Sequence, residues 1–116
     1  MSGFEDFVQE LFAGVGPVRV KRMFGGVGIY ADGRMFGVVD DDVIYLKTDE
    51  ALRAELAAEG SDYWRYQGGG KTLEITSYWR LPETALDDPD EAAAWGRRAL
   101  AVAEANPPKT RPRRKR

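Results

Sequence analysis

The sequence contains no cysteine and no histidine. Without cysteine there is no disulfide, no thiolate nucleophile and no sulfur ligand for zinc. Without histidine a Ser-His-Asp triad cannot be assembled, and the side chain that ordinarily titrates near neutral pH is missing. Carboxylate, lysine and tyrosine chemistry survive these exclusions, as does a metal site built from carboxylates. Long apolar runs are also missing, whereas a membrane-crossing helix needs ~20 such residues. The N-terminal stretch MSGFEDFVQE is acidic and amphipathic. It is not a basic segment followed by an apolar one, so no secretory signal is read and a cytoplasmic location is expected.

What is present is ordinary globular material. Of 116 residues, 43% are hydrophobic and 31% charged, which suits one domain with its own core. The net charge of −2 conceals an asymmetry. All 19 acidic residues lie in 1–105 with 11 of the 17 basic ones, which leaves the body at −8. The final run NPPKTRPRRKR holds Lys109, Arg111, Arg113, Arg114, Lys115 and Arg116 and no acid. Proline and charge leave that run little to bury. A domain over 1–106 and a disordered basic tail over 107–116 are expected, the tail attracting nucleic acid weakly and non-specifically.

Phe4, Phe7, Val8, Leu11 and Phe12 recur on one helical face. Ser2 and Glu5 fit a capping box, and Gly14, Gly16 and Pro17 end the helix. Residues 18–31 alternate with period two except at Gly25–Gly26. They read as one long strand bent at that glycine pair, with Arg22, Met23 and Phe24 against the neighbouring helices. At least one of the two glycines should then need a shape or closeness that a Cβ would spoil. Asp32-Gly33 signals a hairpin. Strands follow at Met35–Val39 and Val43–Lys47, joined through Asp40, Asp41 and Asp42. Thr48 can cap a second helix that points Leu52 and Leu56 inward and stops at Gly60. Tyr63–Gln67 and Lys71–Arg80 are further strands, with Leu73, Ile75, Ser77 and Trp79 on one face. Asp88 caps a last helix, Pro89 takes its first position, and Trp95, Ala99 and Val102 form its buried stripe, with Arg97 and Arg98 outside. The order α-β-β-β-α-β-β-α predicts an α+β fold, a five-stranded antiparallel sheet with helices packed on one face.

Most chemical motifs fail on context. Gly26-Val27-Gly28-Ile29-Tyr30-Ala31 matches a dinucleotide-binding pattern, but it runs through a strand into a hairpin rather than into a helix. Gly70-Lys71-Thr72 resembles the end of a phosphate loop but lacks the earlier glycine and leads into a strand. Asp40-Asp41-Asp42 lacks the alternating ligands of a calcium loop. Tyr30, Tyr45, Tyr63, Trp64, Tyr66, Tyr78 and Trp79 lie on or beside the strands. Aromatics on a sheet can stack bases, yet such platforms need nearby positive charge and the body is acidic, so these read as core-filling residues. Arg19, Lys21 and Arg22 form the one dense basic cluster of the body. Alternation turns Arg22 inward with Val18 and Val20, where it needs a carboxylate or carbonyl partner; a bend at Gly25 would free it to solvent instead.

The run Gly16 to Tyr30, with Arg22-Met23-Phe24-Gly25-Gly26 at its centre, resembles the opening of the TfoX N-terminal domain family. Asp32 to Phe36, Ile44 to Asp49, Ser77-Tyr78-Trp79 with Pro82, and the helix from Asp88 to Ala105 extend the resemblance over nearly all of 3–105. It implies an α+β fold with a five-stranded antiparallel sheet, and a regulatory association. Full-length TfoX-type proteins promote transcription in natural competence together with the cyclic-AMP receptor protein. They carry a second, helical domain, where this sequence has a short basic tail. The resemblance supplies no catalytic residue. The function expected is therefore a non-enzymatic interaction module linked to transcriptional regulation, without metal or cofactor. Its partner would be a protein or a second copy, and Arg19, Lys21, Arg22, Met23, Phe24, Gly25, Gly26 and Tyr30 are the candidate interaction residues. The alternative is a small-ligand binder or enzyme using the Arg22–Tyr30 region.

Overall fold

The computed structural model describes residues 3–23 and 26–105. Helix α1 spans Gly3–Leu11 and is followed by a 3-10 turn at Ala13–Val15. Four strands come next: β1 (Val18–Met23), β2 (Gly26–Ala31), β3 (Arg34–Asp40) and β4 (Val43–Lys47). Helix α2 (Glu50–Ala58) leads to β5 (Tyr63–Gly68) and β6 (Lys71–Arg80), and a 3-10 turn at Glu83–Asp87 leads to α3 (Pro89–Ala105). All strands pair antiparallel in one sheet of order β1-β2-β3-β4-β6-β5.

The α+β class and the helices on one face agree with the sequence reading, but the sheet has six strands, not five. The segment read as one bent strand is two. The chain reverses between Met23 and Gly26, and Val18 pairs with Ala31 at the far end of the hairpin. Alternation cannot reveal this, because a reversed strand keeps the same period. Gly26 meets the expectation of closeness: a Cβ there would run into the Val39 carbonyl oxygen of β3. Ser2, Phe24, Gly25, the Met23 side chain and the basic tail lie outside the described residues.

The three remaining hairpins turn through consecutive residues of positive φ. These are Asp32-Gly33, Asp41-Asp42 and Gly69-Gly70. Such mirror-image turns match the right-handed twist of paired strands. Asp41 (φ 53°) and Asp42 (φ 63°) adopt this shape without glycine, which costs an L-residue conformational energy.

Helix α3 covers the middle of the sheet. Phe12 meets Phe36 edge-on, with ring centroids 5.5 Å apart, and both are fully buried with Val8, Ile29, Leu46 and Leu81. Gly96 of α3 lets the chain approach closely, since a Cβ there would lie 2.9 Å from Phe12 and Val15. Leu52 and Leu56 of α2 pack with Val102 of α3 and the half-buried Trp79 and Trp95. Phe7 departs from the expected stripe and stays exposed. The α2 cap is Asp49, whose carboxylate accepts from the Leu52 N–H at 2.9 Å. Thr48, expected in that role, instead donates its hydroxyl to the Ser77 carbonyl at 3.0 Å and accepts from Arg53 Nε. Asp88 caps α3 as expected, accepting from the N–H groups of Asp90 and Glu91.

Two stability changes follow from this backbone. Gly26→Ala should lower stability by about 1–3 kcal/mol, because neither the β2 nor the β3 backbone can yield to the added methyl without losing pairing. Asp42→Gly should raise it by about 0.5 kcal/mol by relieving the positive-φ residue. Denaturant midpoints of the two variants against the parent chain check both signs.

Candidate functional site

Strand β6 serves two partners in turn. Its end at Tyr78–Arg80 pairs with β4, and its start at Lys71–Ile75 pairs with β5. Between them the β5–β6 register jumps from Tyr63↔Trp79 to Trp64↔Ile75. The jump changes which side chains share a face. Leu73 and Ile75 do not line up with Trp79, contrary to the sequence reading; Trp79 packs under α2, while Ile75 joins Trp64 and Tyr78 on the face that carries no helix.

At this irregularity the β5–β6 hairpin curls over the helix-free face. Trp64 reaches past β6 to stack on Tyr45 of β4, with centroids 5.6 Å apart, and meets Tyr78 and Tyr66 edge-on. Its indole N–H donates to the Asp40 carboxylate of β3 at 2.9 Å. Trp64 and Tyr78 are buried in this second core with Val38, so the core-filling reading holds for these two. Tyr30, Tyr45, Tyr66 and Met35 remain half-buried around it. Burial pushes the Tyr78 phenol up to about 12, with the Tyr30 phenol adding to the rise, and burial likewise raises Tyr45.

Register places two rows of side chains across this face. One row runs Lys21, Gly28, Val38, Tyr45, Arg80. The other is in two pieces, Arg19, Tyr30, Met35 on β1–β3 and Lys47, Tyr78 on β4 and β6. Lys21 Nζ sits 5.5 Å from the Tyr30 ring centroid and Lys47 Nζ 5.4 Å from that of Tyr78. Arg19, Lys21 and Lys47 make no ion pair among the described residues. Arg80 reaches Glu83 only at 3.9 Å.

The charges sort by element. The six strands hold eight of the 11 basic residues of the body (Arg19, Lys21, Arg22, Arg34, Lys47, Arg65, Lys71 and Arg80) and only two acids, Asp40 and Glu74. The remaining 17 acids lie on helices and turns. The acidic total of the body therefore does not describe the helix-free face, where Arg19, Lys21, Lys47 and Arg80 stand among the aromatics and Asp40 is bonded to Trp64. The signal was in the sequence, since all of these eight basic residues but Arg34 fall within the expected strands.

The candidate residues divide between two clefts. Arg19, Lys21 and Tyr30 line one of about 490 Å³ that wraps the β1 edge to Gln9 of α1. Arg22 and Gly26 line another of about 510 Å³ on the helix side, with Phe4 and Val8 of α1 as its floor and Asp41 and Asp42 at its rim. Arg22 thus follows the alternation with Val18 and Val20 but stays exposed. Arg22 and Tyr30 lie on opposite faces of the β1–β2 hairpin, so they do not converge on one ligand. Among the described residues no three acidic side chains gather as a cation site requires, and no helix is long and apolar enough to cross a membrane.

A model of the TfoX N-terminal domain matches residues 10–103, which takes in every strand and most of the helical layer. The chain belongs to the TfoX N-terminal domain family. No curated protein matches it significantly. The match takes in the whole basic face and the strand residues of both clefts, while the α1 residues Phe4, Val8 and Gln9 that line them precede it.

Tyr78 yields a pH prediction. Its folded-state pKa lies above the ordinary value of 10.0, so the buried neutral phenol gives full stability below pH 10. Above that the unfolded chain ionises first, and up to about 2–3 kcal/mol is lost as pH rises toward 12. Denaturant midpoints should fall in that window, and Tyr78→Phe should remove most of the fall.

Proposed function

We propose that this TfoX N-terminal domain is a non-enzymatic interaction module linked to transcriptional regulation of the competence type, acting in the cytoplasm, and that the helix-free face of its sheet is the binding surface. The observation that carries the reading is the sorting of charge, with Arg19, Lys21 and Lys47 free of ion pairs among the described residues beside half-buried tyrosines on one face, and most of the acids on helices and turns. Cations at the surface that no carboxylate neutralises steer an oppositely charged partner and speed its arrival. Whatever docks there brings negative charge. An acidic protein surface meets that requirement, as does the acidic helical layer of a second copy. The basic tail would add salt-sensitive, non-specific attraction to nucleic acid.

The reading of the Arg22–Tyr30 region as a small-ligand site is the weaker one, because its two ends face apart. Affinity capture from native cells tests the binding face. Joint replacement of Arg19, Lys21 and Lys47 by glutamate should abolish retention of the partner that the parent chain retains, with the fold intact by circular dichroism. Retention unchanged in this triple variant moves the binding surface elsewhere on the domain.

A further inference from the structure

The geometry points to a single-stranded nucleic acid as the ligand of the helix-free face, an assignment that rests on the reading of that face as the binding surface. Three observations converge. First, the cations make no ion pair among the described residues and flank an aromatic ring: Lys21 lies 5.5 Å from Tyr30, and Arg19 pairs in register with the same tyrosine. Second, Arg19 and Lys21 are two residues apart on β1, which sets them about 6.6 Å apart along the strand. That is close to the separation of successive phosphates on an extended single strand. Third, the cleft of about 490 Å³ lined by Arg19, Lys21 and Tyr30 opens at the sheet edge, so a chain can enter and leave it.

These features distinguish nucleic acid from an acidic peptide. A carboxylate-rich surface uses the cations and gains nothing from a ring face. A nucleotide uses both at once, with phosphates on Arg19 and Lys21 and a base stacked on Tyr30. Lys47, three strands across the sheet on β4 and over the Tyr78 ring, offers a further cation to a strand that crosses the face. Base stacking on aromatics tolerates any sequence, because every base has a flat face. A duplex keeps its bases paired and offers only phosphates, so it binds more weakly here than a single strand.

The test uses the full chain, an octathymidylate, the matching duplex, and polyglutamate, followed by fluorescence anisotropy and by NMR shifts. Every variant keeps the basic tail, so the contribution of the tail is common to all. Octathymidylate should shift resonances of Arg19, Lys21, Tyr30 and Lys47. Tyr30→Ala should weaken it about tenfold while Tyr30→Phe retains it. Lys21→Gln, at an exposed position, should reduce the log–log salt slope by about 0.7. Shifts confined to 107–116, duplex bound as tightly as single strand, or an unchanged affinity in both Tyr30→Ala and Lys21→Gln would overturn the assignment. If polyglutamate alone shifts the face, the nucleic-acid ligand is wrong and the binding face stands. If neither polymer shifts it and the triple glutamate variant still retains its partner, both readings fall.

Discussion

The indole of Trp64 closes the sheet onto itself. A sheet with helices on one side leaves its other side wet, and here the far hairpin folds back to dry part of it. The ring of Trp64 stacks on Tyr45, meets Tyr78, and hands its N–H to Asp40 two strands away from its pairing partner. That hydrogen bond matters because a buried indole donor left unpaired costs free energy comparable to the packing it brings. The register jump in β6 is what allows the reach. Without it, Trp64 would stand over its own hairpin and Tyr78 would lie open to water. The exposed part of the face, from Tyr30 to Lys47, is what the curled hairpin leaves uncovered.

The separation of charge has separate causes on the two layers. Acidic residues suit helix N-termini, and Asp49 and Asp88 show this by capping α2 and α3. Others lie in turns, where a short carboxylate side chain tolerates positive φ, as at Asp32, Asp41 and Asp42. Strand positions favour longer side chains whose methylenes lie along a pleated surface while the charge stays in water. Lys21 and Lys47 do this over tyrosine rings. One chain thus carries two oppositely charged sides although its net charge is small.

Much of this was legible from residues. The hairpins at Asp32-Gly33 and Asp41-Asp42, the Asp88 cap and the Leu52–Leu56 face all stand where spacing and turn chemistry put them. Three features were not. The reversal between Met23 and Gly26 was hidden because period-two alternation carries no direction, although a glycine pair is also a hairpin sign. Thr48 lost the cap to Asp49 because its hydroxyl is taken by the Ser77 carbonyl, a partner 29 residues away. The summed charge of the body hides the aromatic face, because a sum ignores which element carries each residue. Strand membership alone separates Arg19, Lys21 and Lys47 from the acids, since neither β1 nor β4 holds one.

Among the described residues the strand order leaves two borders, β1 and β5, each with a row of backbone N–H and C=O groups unmatched by a neighbouring strand. Such borders invite a second chain to add another strand, and uncontrolled addition is how sheets become fibrils. On β1, the Gln9 amide covers the Val18 carbonyl at 3.4 Å, and three cations crowd within six residues. A second β1 laid alongside would bring like charges face to face. On β5, Arg65 stands over Tyr63 at 4.2 Å with its charge paired to Asp62 at 2.9 Å, so that border leans on the curl of the hairpin rather than on repulsion. The same lysines and arginines that make the sheet attractive to an anionic partner therefore make it repellent to itself, so the surface can stay sticky for its ligand while the protein stays dispersed at high concentration.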